Sequence, residues 1–170
     1  NKPILAIETS NKICSVCLYF NDEKYSEVNH LNKYSHSKII LSLIDNVLKN
    51  CDTELRDLSY LAFSEGPGSF TGLRIGLSAV KSIAFANSLQ VSMVPTFEAA
   101  ALQIASFKKD GDHFAVATKV NNEEIYFQKF KKLADNYVVV KEIDIINKQN
   151  LLEHLEGDEL FAEFDYDYKS

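Results

Sequence analysis

The sequence predicts an α/β protein in which helices pack against a mixed five-stranded sheet. Over the first hundred residues, short apolar strands and apolar helices follow one another in the order βββ-α-β-α-β-α. Short polar turns join the first three strands, so these strands must run antiparallel. A helix separates each later strand from the strand before it, and such crossovers connect parallel strands.

The boundaries of these elements follow from apolar runs, turn residues and helix caps. The predicted strands occupy residues 3–9, 13–20, 24–31, 59–64 and 91–94. The predicted helices end near Asn50, Asn87 and Ser106, and their N-caps are Ser35 or Ser37, then Thr71, then Thr96.

A shift to polar composition at residues 108–112 predicts a domain boundary, with one domain over residues 1–106 and a second over 107–170. In the second domain, residues 113–120 and 124–130 form a predicted hairpin, followed by a strand over 137–146 and a short helix over 149–155. The last stretch, from Glu153, carries seven acidic residues and one lysine, which is typical of a frayed, solvated tail.

Composition narrows the class of protein. The chain has 170 residues, is 46% hydrophobic and has a net charge of −6, as expected of a soluble globular protein that is not a free-standing nucleic-acid binder. No apolar run approaches the ~20 residues of a membrane span, and the first residues do not resemble a signal peptide. Without a long apolar run, we expect no membrane partner. Three cysteines make no disulfide framework, so we expect a cytoplasmic protein. Cys14 and Cys17 form C-x-x-C, but three residues along a strand they face opposite sides, so we interpret them as small core residues.

Two segments are candidates for ligand binding. The loop at residues 66–72 holds several glycines and leads into a helix N-terminus, a combination that suits an anion, although its spacing matches neither common phosphate-binding motif. The alternative is a simple strand-to-helix turn. Glu8, Thr9 and Ser10 lie at the end of the first strand and form the second candidate, a site for Mg²⁺ and phosphate oxygens. There the alternative is a turn whose side chains bond its own backbone.

No catalytic residue, metal site or cofactor is predicted. The four histidines are scattered and lack metal-ligand spacing, and we expect His30 and His36 to lie at the surface or beside a helix cap. The first two helices carry a different signal, because their apolar residues cover more than one face. Either a third helix, the second domain or another chain must cover the extra face. We expect a partner interface at Ile40, Leu41, Ile44, Val47, Leu77 and Val80.

Several motifs resemble those of the TsaB (YeaZ) family, the accessory subunits for making threonylcarbamoyladenosine (t6A) in tRNA. The matching segments are I-L-A-I-E-T-S at residues 4–10, C-S-V at 14–16, His36-Ser37, G-P-G-S-F-T-G-L-R-I-G-L at 66–77 with Lys81, and V-N-N-E-E-I-Y at 120–126. The resemblance implies an actin/Hsp70/sugar-kinase-like (ribonuclease H-like) fold. It extends over residues 3–102 and weakens beyond about 130. The chain is shorter than is usual for this family, so we expect a reduced second lobe.

The resemblance also implies a function. TsaB-like chains are non-catalytic relatives of the transferase TsaD, and residues 96–101 lack the histidines that hold the metal in TsaD-like chains. We therefore expect a scaffold subunit that dimerises with a TsaD-like transferase through helices one and two. A TsaE-like ATPase and tRNA would join the wider assembly, tRNA only indirectly, and the chain alone would form a homodimer. The alternatives are a small kinase or ATPase that uses Glu8 and Ser10 on ATP, and a stand-alone homodimeric binding module.

Overall fold

The computed structural model describes residues 2–31 and 36–162, and the chain divides into two units, Asn1–Pro95 and Thr96–Ser170. The predicted boundary lies further along the chain, between residues 106 and 107. The two divisions differ by one helix, whose buried residues Phe97 and Ala101 pack in a cluster with Phe114 and Phe130 of the second unit.

A five-stranded mixed sheet forms the centre of the first unit. Its strand order is β3-β2-β1-β4-β5, with β1 antiparallel to β2 and parallel to β4. Ile7 on β1 shows both pairings, opposite Val16 on β2 and Phe63 on β4. The mixed sheet expected from turn lengths and crossovers is confirmed. The strands are β1 (Ile4–Glu8), β2 (Ile13–Asn21), β3 (Lys24–Leu31), β4 (Tyr60–Gly66) and β5 (Gln90–Pro95).

Two long helices cover one face of this sheet. Helix α1 runs over His36–Asn50 and α2 over Phe70–Asn87, with a short 3-10 turn at Leu55–Asp57 between α1 and β4. The side chains that α1 and α2 bury lie in one apolar cluster with those that the strands direct to the same face. Burial of this shared cluster fixes both helices on the sheet. Its fully buried members include Leu5, Val16, Leu18, Val47, Leu61 and Val80.

The second unit contains a four-stranded sheet in the order β8-β7-β6-β9, with helix α3 packed against it. Strand β7 pairs with β6 on one side and with β8 on the other, and both pairings are antiparallel. Strand β9 pairs with β6 in parallel. Its elements are α3 (Thr96–Ala105), β6 (His113–Lys119), β7 (Glu124–Leu133), β8 (Asn136–Asn147), a 3-10 turn (Lys148–Asn150), α4 (Leu151–Leu155) and β9 (Glu159–Ala162).

Strand β9 corrects the prediction that residues from Glu153 onward form a frayed acidic tail. Glu159–Ala162 pairs with β6, and α4 buries Leu151 and Leu155 in the apolar cluster of the unit. Residues 163–170 of the predicted tail lie outside the described residues. The high acidic content suggested a solvated segment, but part of its negative charge pairs with a buried lysine of the same unit.

The buried cation that neutralises it is Lys129 on β7. Its side chain is 7% exposed, and Nζ lies 2.6 Å from Oδ2 of Asp158 and 2.8 Å from Oε2 of Glu156. Burial lowers the pKa of Lys129, but hydrogen bonds to the two carboxylates more than offset this and leave the pKa above its ordinary value. The ammonium group ties β7 to the turn between α4 and β9.

We expect the two carboxylates to differ in their contribution to stability. Asp158 is 17% exposed and Glu156 76%. Asp158→Asn should therefore lower the free energy of unfolding by about 2 kcal/mol, because it weakens the pairing of a buried ammonium group. The matched variant Glu156→Gln should have little effect, because water screens its charge. Urea unfolding of both variants, followed by circular dichroism, measures the difference, and equal losses would contradict this interpretation.

The same ion pairs predict how stability depends on pH. The hydrogen bond from Lys129 holds the pKa of Glu156 below its ordinary value of 4.5, so the small stabilisation from this exposed carboxylate is present above that value and is lost as pH falls through the lowered pKa. Because the pKa of Lys129 is raised, its contribution is present at neutral pH and is lost only as an alkaline pH passes through the raised value.

Candidate functional site

The two candidate ligand segments meet at one junction in the first unit. The backbone N–H of Ser10 donates a hydrogen bond to Oε1 of Glu8, and the carbonyl of Ser10 accepts one from the N–H of Ser69. Thr9 and Ser10 are buried at 0% and 3% exposure. The turn after β1 is thus covered by the loop that leads into α2.

Close approach between α2 and the turn explains two of the glycines. A Cβ on Gly72 would overlap the carbonyl oxygen of Thr9, and a Cβ on Gly76 would overlap Oγ1 of Thr9 and the ring of Phe63. Glycine alone lacks the Cβ and lets the helix lie directly on the turn. At these two positions, glycine therefore serves the packing of α2 against the turn.

These contacts favour the structural interpretation of Glu8 and Ser10 over their use as nucleotide ligands. The backbone of Ser10 already bonds Glu8 and Ser69, and its side chain is buried.

The predicted N-cap of α2, Thr71, is wrong by two residues. The N-cap is Ser69, whose Oγ accepts a hydrogen bond from the N–H of Gly72 at 3.2 Å. Helix α2 consequently begins at Phe70, ahead of the expected Leu73.

Glu8 also lines a pocket of about 260 Å³ with Ser15, Cys17 and Glu27. Burial, and then the carboxylate of Glu27, raises the pKa of Cys17. Burial, and then the charge of Glu8, raises the pKa of Cys14 to about 11. Both thiols therefore stay protonated at neutral pH. The two cysteines face opposite sides of β2, as the strand geometry predicts. Cys14 lies in the core cluster, whereas Cys17 is half-buried and lines the pocket, so the interpretation of Cys17 as a core residue was wrong.

Helices α1 and α2 leave a groove between them with a volume of about 550 Å³. Its walls are apolar or carry small hydroxyl side chains, with one charged residue, Arg74. The guanidinium of Arg74 lies 5.3 Å from the ring centroid of Phe70. The lining residues are Ser37, Ile40, Leu41, Thr71, Arg74, Ile75, Ser78, Ala79, Ser82 and Ile83.

Large apolar side chains lie exposed on the same two helices. Leu41 is 60% exposed, Phe70 73% and Phe85 91%. Exposed aromatic and aliphatic side chains beside an apolar groove are typical of a protein-binding surface. We name the groove and these three side chains the α1–α2 surface.

The structure corrects part of the predicted interface. Ile40, Ile44, Val47 and Val80 lie in the core of the unit, at most 3% exposed, because the sheet beneath both helices already covers them. Leu77 is half-buried against the same core, and Leu41 is exposed. Of these six, Ile40 and Leu41 line the groove.

Sequence reasoning missed Phe70, Arg74 and Phe85. The signal was present, since positions 70, 74, 78, 82 and 85 fall on one side of a helix at 3.6 residues per turn. The apolar content of the two helices does not by itself show which of their positions the sheet covers.

His36 begins α1 and so lies beside the helix cap as predicted, but its side chain is buried, at 6% exposure. Its Nε2 has no hydrogen-bond partner among the described residues. Across residues 2–31 and 36–162, no group of three or more His, Cys, Asp or Glu side chains is arranged to hold a metal ion.

Comparison with known proteins identifies the family. The model of TsaD, tRNA N6-adenosine threonylcarbamoyltransferase, matches residues 29–168. The "tRNA threonylcarbamoyladenosine biosynthesis protein TsaB" of Haemophilus influenzae is 35% identical over 76% of the chain, and the protein of that name from Escherichia coli is 33% identical over 76%. The chain belongs to the family that the TsaD model describes, and within that family to the TsaB (YeaZ) group. The matches cover 54% and 55% of those two proteins, so this TsaB-family chain spans about half the length of the curated relatives it matches.

Solved structures of the group share the fold. A Pseudomonas aeruginosa protein described as similar to peptidase YEAZ superposes with a TM-score of 0.79 at 20% identity, over 96% of this chain and 85% of that chain. YeaZ from the same organism gives 0.72 at 24%, over 85% and 68%. The fold class expected from the sequence is confirmed. Among the described residues of the TsaB-family chain, no helix has the length and apolar character needed to cross a membrane.

Proposed function

We propose that the chain is a non-catalytic scaffold subunit in the synthesis of t6A in tRNA, and that its α1–α2 surface binds a TsaD-like transferase. The curated relatives carry the name of this pathway, and the matching family model describes its transferase. The α1–α2 surface is the observation that carries the proposal, since it offers an apolar groove flanked by exposed phenylalanines.

The shape of this surface suits a helix as the binding partner. Phe70 and Phe85 lie fifteen residues apart, which corresponds to about 22 Å along α2. An amphipathic helix of about four turns, with apolar residues spaced by three and four, fills such a groove. Burying Leu41, Ile75 and Phe85 would supply the hydrophobic contribution to binding.

The junction around Glu8 supports a role without chemistry of its own. Glu8 accepts the N–H of Ser10, and the loop before α2 covers Ser10. Residues 96–101, which would carry histidines in a TsaD-like chain, contain none and form most of α3. The contribution of the subunit would be to favour the transferase conformation that is competent for transfer, through differential affinity for that state.

The wider assembly follows from the family resemblance. A TsaE-like ATPase would complete it, and tRNA would contact it through other subunits, since a chain with net charge −6 is poorly suited to hold RNA alone. In the absence of the transferase, two copies would associate through the α1–α2 surface.

Depletion and complementation in cells test the proposal. Loss of the protein should lower t6A in digested tRNA, measured by nucleoside mass spectrometry, and expression of the Glu8→Ala variant should restore it. Unchanged t6A after depletion would overturn the assignment. Failure of Glu8→Ala alone, with normal folding, would indicate a nucleotide-dependent activity in this chain instead.

A further inference from the structure

We propose that the open edge of β8 pairs with β8 of a second copy of this chain, antiparallel and related by a two-fold axis. The four-stranded sheets of the two copies then form one continuous sheet. The inference goes beyond the proposed function, because it concerns the second unit and needs neither the α1–α2 surface nor a transferase.

Strand β8 has one open side and an apolar surface. It is the outermost strand of its sheet, forms strand pairing with β7 alone among the described residues, and with twelve residues is the longest strand described. Five large apolar side chains on it are 36% to 49% exposed: Val138, Val139, Val140, Ile143 and Ile145. A long, exposed, apolar edge is a template for pairing with another strand.

Two bulges in β8 restrict which strand can follow this edge. The pairing with β7 is irregular at residue 140 and at residues 142–143, where β8 has one more residue than β7. Bulges kink an edge, so a regular strand does not match it over this length. A second copy carries the same kinks. When residues 142 and 143 of one copy face 143 and 142 of the other, both strands have their extra residue at the two-fold axis and stay in register over residues 140–145.

The bulge at residues 142–143 also brings two opposite charges to one face of β8. Lys141 lies opposite Lys129 of β7. Asp144 lies opposite Phe127, which is two residues from Lys129 and therefore on the same face. The contacts of Lys141 agree, since its Nζ lies 5.6 Å from the ring centroid of Phe127 and 3.2 Å from Nδ1 of His154. In a regular strand, residues three apart would face opposite sides.

These two charges are complementary across the two-fold axis. Within the described part of the chain, neither Lys141 nor Asp144 forms an ion pair. In the register given above, Lys141 of each copy lies directly opposite Asp144 of the other, which forms two ion pairs. A register that sets Lys141 against Lys141, or Asp144 against Asp144, places like charges opposite each other and is disfavoured. The charges therefore select a second copy in one register.

The affinity itself comes from the backbone and the apolar side chains. In strand addition, main-chain hydrogen bonds bind the new strand and side chains set its specificity. The N–H of Ile145 donates to Oδ1 of Asp144 at 2.8 Å. A carbonyl of the second copy can replace this local acceptor, and the carboxylate is then free to pair with Lys141 of that copy.

The first experiment measures self-association by sedimentation equilibrium in the Leu41→Glu background, which disrupts the α1–α2 surface. This variant should still form dimers at micromolar concentrations. Adding Asp144→Lys should weaken the dimer at least ~10-fold, because each new lysine faces Lys141 of the other copy. Glu142→Lys is the matched control, since it makes the same charge change but faces Ile143, and it should alter affinity less than about threefold.

Two results of this experiment contradict the proposal. One is a Leu41→Glu protein that stays monomeric, which would leave the edge of β8 to a strand of another protein or to none. The other is an equal effect of Asp144→Lys and Glu142→Lys. Both substituted residues are exposed, so the variants should fold, and circular dichroism of each checks it.

The second experiment exchanges the charges, again in the Leu41→Glu background. Lys141→Glu alone and Asp144→Lys alone each set like charges opposite one another. An equimolar mixture of the two variants restores opposite charges in both pairs, and it should associate within about threefold of the Leu41→Glu parent. A mixture that associates no more tightly than either variant alone would overturn the proposed register and the proposal with it.

Failure of this proposal and failure of the proposed function are distinguishable. If Leu41→Glu leaves self-association and t6A synthesis as they are in the unmodified chain, the α1–α2 surface has been assigned wrongly. The comparison of Asp144→Lys with Glu142→Lys is made in one background and still decides whether β8 joins two copies.

Discussion

Gly72→Ala is expected to destabilise the first unit by about 3 kcal/mol, close to the upper end of what overpacking costs. The added Cβ would overlap the carbonyl oxygen of Thr9, which is backbone and cannot swing away as a side chain does. The helix or the β1–β2 turn must move instead, and the move disturbs the bond between Ser69 and Ser10.

Thr71→Ala is the control for this change, since the neighbouring Thr71 is exposed and adds no atom to the junction. The chain contains no tryptophan, so far-UV circular dichroism in urea is the suitable measurement. A Gly72→Ala protein as stable as the control would show that α2 does not need its close approach to Thr9.

Leu41→Glu is expected to weaken binding to the TsaD-like subunit by more than 100-fold and to prevent restoration of t6A in depleted cells. Leu41 lines the groove and is 60% exposed, so the free chain accommodates a charge there. In the complex the carboxylate would be removed from water without a partner of its own, at a cost of several kcal/mol. Binding by calorimetry and nucleoside mass spectrometry measure the two consequences.

Leu102→Glu provides the comparison, because Leu102 is 52% exposed on α3 in the other unit. It should bind and restore t6A as the unmodified chain does. Val80→Glu is unsuitable for this purpose, since Val80 is fully buried and its replacement would unfold the unit. Full restoration of t6A by folded Leu41→Glu would place the partner surface elsewhere.

The sequence was sufficient for most of the fold because turns and crossovers leave few choices. The turn at residues 10–12 is too short for anything but an antiparallel connection, and the helix after β4 is long enough for a parallel one. Strand β9 escaped prediction for a physical reason. The acidic residues beside it suggested solvation, and only the distant Lys129 explains how the carboxylate of Asp158 is accommodated at 17% exposure.

Predicting the site was harder, because burial depends on partners that are distant in sequence. Val47 and Leu41 are both apolar residues of α1, yet Val47 packs against the sheet and Leu41 does not. The glycines of this segment predict that some other group approaches the backbone closely. The residue that approaches them is Thr9, more than sixty residues earlier in the chain, and no local sequence pattern reveals that contact.

The contact of Gly72 and Gly76 with Thr9 has a consequence for how the docking face can vary. It sets the rotation of α2 about its own axis, because a helix resting on a turn through two points one turn apart cannot roll. Rotation decides whether Arg74 or its neighbours point outward. A glycine substitution that still folds would therefore turn α2 about its axis and change which of its side chains face outward, without altering any residue on the outer face itself.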